Sequence, residues 1–239
     1  MIGCGCEVCT STDKRDKRLR SSILVQSSNT TLVVDSGPDF RYQMLRANVK
    51  KLDAIIFTHP HKDHIAGLDD VRAYNFFNRK PMQIYANAMT QQALKIEFAY
   101  AFSDQKYPGI PELNMNLIGN DNFTVGDIMV KPITVWHLKM PVLGFRFGTF
   151  TYITDANRIE EKEKNKIRGS EILILNALRK QKHISHFNLE ESIAMSKELE
   201  MPQVYFTHIS HQLGKHQDIS AELSPGVSLA YDKMELVFP

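Results

Sequence analysis

The chain has 239 residues, 43% apolar and 23% charged, a composition that suits a globular protein and excludes disordered and fibrous classes. Lys and Arg number 29 and Asp and Glu 27, a formal charge of +2 that is too mild to argue for a nucleic-acid binder. No apolar run approaches the roughly 20 residues of a membrane span. The opening MIGCGCEVCTSTDKRDKR has no apolar signal core, so a cytoplasmic protein without a membrane partner is expected. All three cysteines lie within the first nine residues. An odd, crowded trio of this kind suggests metal binding rather than a disulfide framework.

Residues 10–22 are polar and rich in basic side chains and read as a solvated loop. SILVQ and TTLVVD, on either side of Ser-Ser-Asn, read as a hairpin that Gly37-Pro38 ends. LDAIIFTH (52–59) is a short apolar run typical of a strand buried on both faces, with a helix expected from about Ile65 to Phe77. MQIYAN (82–87) is a strand, and 90–102 looks helical with Thr90 as its cap. Residues 103–121 read as a loop. FTVGDIMVKPITVWH (123–137) is strand-like, and VLGFRFGTFTYITDA (142–156) reads as two strands around Gly148-Thr149. A charged helix over 158–168, a buried strand SEILILNAL (170–178), an amphipathic helix over 189–200, a strand QVYFTHIS (203–210) and a closing strand MELVF (234–238) complete the chain. Strands come first and then interleave with helices, which predicts a layered α/β domain with one core.

The strongest chemical signal is Thr58-His59-Pro60-His61-Lys62-Asp63-His64 at the carboxyl end of the strand 52–58, where ligand sites of α/β sheets gather. His59 and His61 alternate along extended backbone and can face one point. Asp63 and His64 follow at the turn into a helix and can face a second. Three imidazoles and a carboxylate suit Zn²⁺, Mn²⁺ or Fe²⁺. Asp35, in VVDSGPD, is also at a strand end and suits a supporting role, orienting a ligand histidine.

This HxHxDH motif resembles the metallo-β-lactamase superfamily, and the likeness extends along the chain because His137, Asp155 and His208 follow in order at strand ends. The resemblance implies an α/β protein of the four-layered αββα metallo-β-lactamase fold, a single hydrolase domain over residues 1–239. It also implies two divalent ions, Zn or Mn: His59, His61 and His137 hold one, Asp63, His64 and His208 hold the other, and Asp155 bridges both.

Cys4-x-Cys6-x-x-Cys9 supplies three thiolates, and a structural zinc wants a fourth ligand. His211, three residues past His208, can tie the N-terminal loop to the active-site edge. Within the superfamily this resembles the phosphonate-pathway phosphodiesterase subgroup (PhnP-type), which hydrolyses phosphoribosyl cyclic phosphate. There a Cys3His zinc uses a CxCxxC loop and the second histidine of a THxSH run. In that subgroup a first β-strand and a Gly-Thr-Gly-Thr-Ser turn precede the cysteines. Here the residues begin at Met1-Ile2-Gly3, which leaves two alternatives: a start further upstream, or a fold lacking that edge strand, whose open sheet edge would favour a homodimer or aggregation.

The segment RKQKHISHFNLEE (179–191) resembles the place where phosphodiesterases of the superfamily carry an extra active-site histidine. His186 matches it best and is the expected proton donor to a leaving alkoxide. His183 and His216 read as ordinary loop or structural histidines. Asp63 is a further candidate for holding or receiving the nucleophile's proton.

The implied activity is metal-dependent hydrolysis of a small cyclic phosphate or phosphodiester, with phosphoribosyl cyclic phosphate as one such substrate. The nearest rival is a tRNA 3′-end endonuclease, but the Gly/Pro-rich RNA-binding arm of that class is not found, so a nucleic-acid partner is not expected. A thioester or lactam hydrolase is the rival from another reaction class, and a metal-binding interaction protein is the non-enzymatic one.

Overall fold

The computed structural model describes residues 1–104 and 107–239. Two positions inside the expected loop 103–121, Gln105 and Lys106, therefore lie outside the described residues. The chain divides into two compact units, Arg20–Pro132 on one side and Met1–Leu19 with Ile133–Pro239 on the other.

A four-residue helix α1 (Glu7–Thr10) opens the chain. The Arg20–Pro132 unit then holds a five-stranded sheet in the order β1 (Ile23–Gln26), β2 (Thr31–Val34), β3 (Ala54–Ile56), β4 (Met82–Ala86), β5 (Leu113–Leu117). β1 and β2 form the expected antiparallel hairpin, whereas β2, β3, β4 and β5 run parallel. Parallel neighbours need crossovers, and these carry α2 (Phe40–Arg46), α3 (Lys62–Ile65), α4 (Arg72–Asn78) and α5 (Ala88–Glu97). Val33, Ile55 and Ile84 of the sheet pack with Phe40, Leu68, Val71 and Leu94 into one apolar cluster. β3 is buried at every residue, as its unbroken apolar run requires.

Three expectations in this unit change. The helix expected from Ile65 to Phe77 is broken: α3 ends at Ile65, a 3-10 turn covers Leu68–Val71, and α4 begins at Arg72. Gly67 sits in the break, its N–H donating to Ser36 O at 2.8 Å, so the glycine joins the loop after β2 instead of continuing a helix. The cap of α5 is Asn87, whose side chain accepts from the Thr90 N–H. β5 lies inside the span expected to be loop: its polar alternation LNMNL is a strand that, among the described residues, pairs with β4 alone.

β6 (Phe123–Val125) pairs antiparallel with the first residues of β7 (Ile128–His137), and β7 continues across the 132–133 boundary into the other unit. There the strand order is β10 (Arg158–Ile159), β7, β8 (Met140–Phe147), β9 (Phe150–Tyr152), β11 (Ile172–Asn176), β12 (Gln203–Thr207), β13 (Val227–Leu229). β9, β11, β12 and β13 are mutually parallel along this order. Helices α6 (Glu161–Ile167), α7 (Leu189–Glu198) and α8 (His216–Glu222) supply the crossovers. Asn188 and Glu191 form a reciprocal capping box at the start of α7. Ile133, Val135, Ile153, Leu173, Leu175, Val204 and Phe206 form the core of this unit. The closing MELVF is not a strand; its Phe238 ring stacks on Phe150 at 5.0 Å, while β13 and α8 were not foreseen. Among the described residues, no helix is long and apolar enough to cross a membrane.

Candidate active site

In each unit most candidate residues follow the carboxyl ends of adjacent parallel strands. Within Arg20–Pro132, Asp35 follows β2 and the segment His59–His64 follows β3. Asp35 is fully buried and collects three donors: Thr58 N–H at 2.8 Å, Thr58 Oγ1 at 2.8 Å and His64 Nδ1 at 2.7 Å. Burial pushes the Asp35 carboxyl up, against the lowering pull of His64 and Thr58. Asp35 thus holds the Nδ1 edge of His64 and fixes how the ring is turned. Thr58 Oγ1 also lies 2.9 Å from His59 Nδ1, so one threonine braces His59 directly and His64 through Asp35. His59 Nε2 and His61 Nδ1 converge at 3.1 Å, and His64 Nε2 stands 3.8 Å from Asp63 Oδ2. A methyl at Gly37 would meet the Asp63 carbonyl oxygen at 2.1 Å, so only glycine lets the VVDSGPD loop lie against the motif.

In the other unit, Asp155, His186 and His208 follow β9, β11 and β12, three neighbours in one sheet, and His137 ends β7. Asp155 Oδ1 is the common point: His186 Nε2 lies 2.8 Å away and His208 Nε2 3.1 Å away. The His186 ring stacks on His208 at 4.9 Å and meets His137 edge-on at 4.5 Å. Ligand-type atoms of His137, Asp155 and His186 all fall within 4.8 Å of one another. Thr154 Oγ1 donates to the second Asp155 oxygen at 2.8 Å.

Asp35, Asp155 and His208 all adopt positive φ, 66°, 55° and 52°. That region costs a non-glycine residue about 1–3 kcal/mol and gathers at functional sites. The sharp turns it allows set each side chain at the end of its strand. Strain at a strand end is the one backbone sign that these residues share, and sequence spacing does not reveal it.

At the N-terminus, donor atoms of Cys4, Cys6, Cys9 and His211 gather within 4.8 Å. His211 Nδ1 lies 3.5 Å from Cys4 Sγ and 3.4 Å from Cys6 Sγ. The His211 contact and the Cys9 N–H lower the Cys6 thiol to about 6, which favours the thiolate at neutral pH.

His216 is the structural histidine expected, whereas His183 lies at the candidate site. His216 is buried, with Arg18 Nη2 3.1 Å from its Nδ1 and its own N–H bonded to Asp16 Oδ1 at 2.7 Å, so it locks residues 16–18 to the start of α8. His183 stands beside the proposed acid, its ring 5.0 Å from His186. The spacing His183-x-x-His186 was the available signal for it.

The β-lactamase superfamily domain profile matches residues 30–209, which include all seven residues of the expected dinuclear set. A crystal structure described as a new diphosphatase from the PhnP family superposes with a TM-score of 0.93 at 37% identity, covering 100% of this chain and 92% of that one. The chain belongs to the PhnP family of the metallo-β-lactamase superfamily. An octanoyltransferase of Porphyromonas gingivalis is 33% identical over 239 residues, 99% of this chain but 48% of that protein. The exodeoxyribonuclease YycJ of Bacillus anthracis is 25% identical over 165 residues, 65% of this chain and 57% of that protein. This PhnP-family chain thus spans about half the length of the curated relatives it matches.

The fold family implies divalent metal ions, and the donor sets fit them. In tetrahedral zinc with Zn–S of about 2.3 Å and Zn–N of about 2.05 Å, sulfur and nitrogen lie about 3.6 Å apart. The two Cys–His211 separations, 3.5 and 3.4 Å, match that spacing. Two nitrogens on one zinc lie about 3.3 Å apart by the same geometry, close to the 3.1 Å between His59 and His61. Asp35→Asn should therefore lower metal affinity about 10–100-fold, the range for partners behind a ligand, because an amide cannot hold His64 Nδ1–H as a carboxylate does. A competition titration with a chelating dye reads this, and unchanged affinity would remove Asp35 from the role.

Proposed function

We propose that the chain is a metal-dependent hydrolase of small phosphodiesters or diphosphates, with a cyclic phosphate such as phosphoribosyl cyclic phosphate within the class. The observation that carries this reading is the 37% identity, over nearly the full length of both chains, to the PhnP-family diphosphatase. In this reading His59, His61 and His137 would hold one divalent ion, Asp63, His64 and His208 would hold a second, and Asp155 would serve as a shared ligand. Such ions, when bound, supply a low-pKa water and offset charge on phosphoryl oxygens. Asp35 holds His64 and Thr58 holds His59, each through Nδ1, which fixes how the two rings are turned. Asp63, half-exposed, holds or receives the proton of the attacking water. His186 gives a proton to the oxygen that leaves phosphorus.

A diester presents one leaving group opposite the attacking water and less negative charge than a monoester. Turnover of bis(p-nitrophenyl) phosphate should therefore far exceed that of p-nitrophenyl phosphate under the same metal loading. Comparable rates would count against the reading. The octanoyltransferase relative places a thioester in the same panel, and the exodeoxyribonuclease relative a DNA strand. Faster turnover of either would move the assignment to that class.

We also propose that Cys4, Cys6, Cys9 and His211 hold a structural zinc. Three thiolates and one imidazole fill a tetrahedral ion and leave no position for water. Cys6→Ser should lower the melting temperature and remove one zinc per chain before it alters substrate preference. Normal melting with normal zinc content would refute the site.

A further inference from the structure

We infer that Arg20 binds a second, non-reacting phosphate of the substrate and so selects phosphodiesters that carry one. The inference rests on the reading of the chain as a phosphodiesterase and names a substrate class within it. Arg20 ends the basic stretch DKRDKRLR (residues 13–20). Within that stretch Arg15 pairs with Asp13 at 2.7 Å, Lys17 donates to Cys9 O at 2.6 Å, and Arg18 donates to Ala230 O and His216 Nδ1. Arg20 instead faces the HxHxDH segment, its Nη1 3.9 Å from Asp63 Oδ2.

The backbone beneath that side chain is held at both of its polar atoms. Its N–H donates to Asp39 Oδ2 at 2.8 Å, and its carbonyl accepts from Gln43 Nε2 at 2.9 Å. Asp39 caps α2 and Gln43 lies one turn further on, so both reach one residue. A methyl at Gly37 would come within 3.3 Å of Arg20 Cβ as well as striking the Asp63 carbonyl, so the arginine stem and the motif meet the same glycine. Beyond this seat the side chain is 59% exposed. A separation of 3.9 Å is too long for a hydrogen bond, so the guanidinium donors stay open to a further acceptor. An exposed pair of this kind adds little to stability. A guanidinium on a fixed backbone is, however, well suited to phosphate, which it meets with two parallel donors. In the proposed reading the reacting phosphoryl lies against the ions, whose charge offsets its own. Arg20 stands an ion-pair distance out from Asp63, which suits an anion set a few bonds away from the reacting phosphorus. A phosphorylated sugar ester has that form, with one ester that breaks and a phosphate elsewhere on the ring.

The test uses two p-nitrophenyl esters of thymidine 5′-phosphate, one with a 3′-hydroxyl and one with a 3′-phosphate. The reacting diester is the same and only the second anion differs. In the metal-loaded parent the 3′-phosphorylated ester should have the lower KM. Arg20→Ala should raise that KM by roughly 10–100-fold, the equivalent of hydrogen bonds to a charged group, and the KM of the 3′-hydroxyl ester by less than about 3-fold. Arg20→Lys should recover part of the loss, since an ammonium keeps the charge but not the planar fork. Metal content and melting temperature are measured for both variants. If Arg20→Ala loses metal, the comparison is read from Arg20→Lys, which keeps a cation beside Asp63. Equal losses on the two esters would place Arg20 in support of Asp63 and overturn the inference. No loss on either ester, or a parent indifferent to the 3′-phosphate, would overturn it as well. In each of these cases hydrolysis of the 3′-hydroxyl ester by the parent leaves the phosphodiesterase reading standing. A fully loaded parent that hydrolyses neither ester would overturn both.

Discussion

His59→Ala is expected to lower kcat/KM on a phosphodiester by more than about 10²-fold, beyond the loss that follows removal of a partner behind a ligand. The side chain is fully buried, so no solvent-side rearrangement replaces it. Its Nδ1 is braced by Thr58 and its Nε2 converges on His61 Nδ1, so removal leaves His61 without its neighbour and Thr58 with one partner fewer. Bound metal outside the cysteine cluster should fall from two ions per chain to one. Circular dichroism and the melting temperature separate this from a folding defect, since truncating a buried ring also leaves a cavity. Full activity with a full metal complement, or a loaded parent protein with at most one ion at this site, would sink the seven-residue assignment.

What the sequence exposes and what it hides follow from different physics. Unbroken apolar runs such as AIIF and ILIL are legible because strands covered on both faces tolerate nothing else. The HxHxDH spacing is legible because few structural roles require three imidazoles and a carboxylate within six residues. β5 was hidden because a strand at a sheet edge keeps polar side chains, and LNMNL therefore imitates loop. The break between α3 and α4 was hidden because Gly67 bonds to Ser36, a contact set by the loop after β2 and not by helical periodicity. β13 and α8 lie between the apolar runs QVYFTHIS and MELVF, where KHQDISAELSPGVSL offers little pattern. In the candidate site, strand-end histidines and carboxylates were visible, whereas the support for His186 was not. Ser185 and His183 acquire meaning only once the turn between β11 and α7 brings Ser185 Oγ to 3.1 Å and His183 Nδ1 to 3.3 Å of His186 Nδ1. The positive φ at Asp35, Asp155 and His208 leaves only a weak mark, since Asp and His adopt that region more readily than most residues but do so rarely.

His186→Ala should lower kcat on diesters with poor leaving groups by roughly 10²–10⁴-fold, the range of general acid–base assistance. The residue lies between a buried strand and the capped start of α7, and both ends of its ring are engaged, Nε2 by Asp155 at 2.8 Å and Nδ1 by Ser185 at 3.1 Å. A poor leaving group departs as an unstable alkoxide unless a proton reaches its oxygen as the bond to phosphorus breaks. A p-nitrophenolate is stable as an anion and needs little help. The loss in His186→Ala should therefore shrink as the leaving group improves, which steepens the dependence of log kcat on leaving-group pKa. Metal content has to be measured alongside, because His186 shares Asp155 Oδ1 with His208 and a displaced ion would lower every rate together. A uniform loss across leaving groups at full metal content would place His186 in support of Asp155 and His208, with the proton supplied by another group or by water.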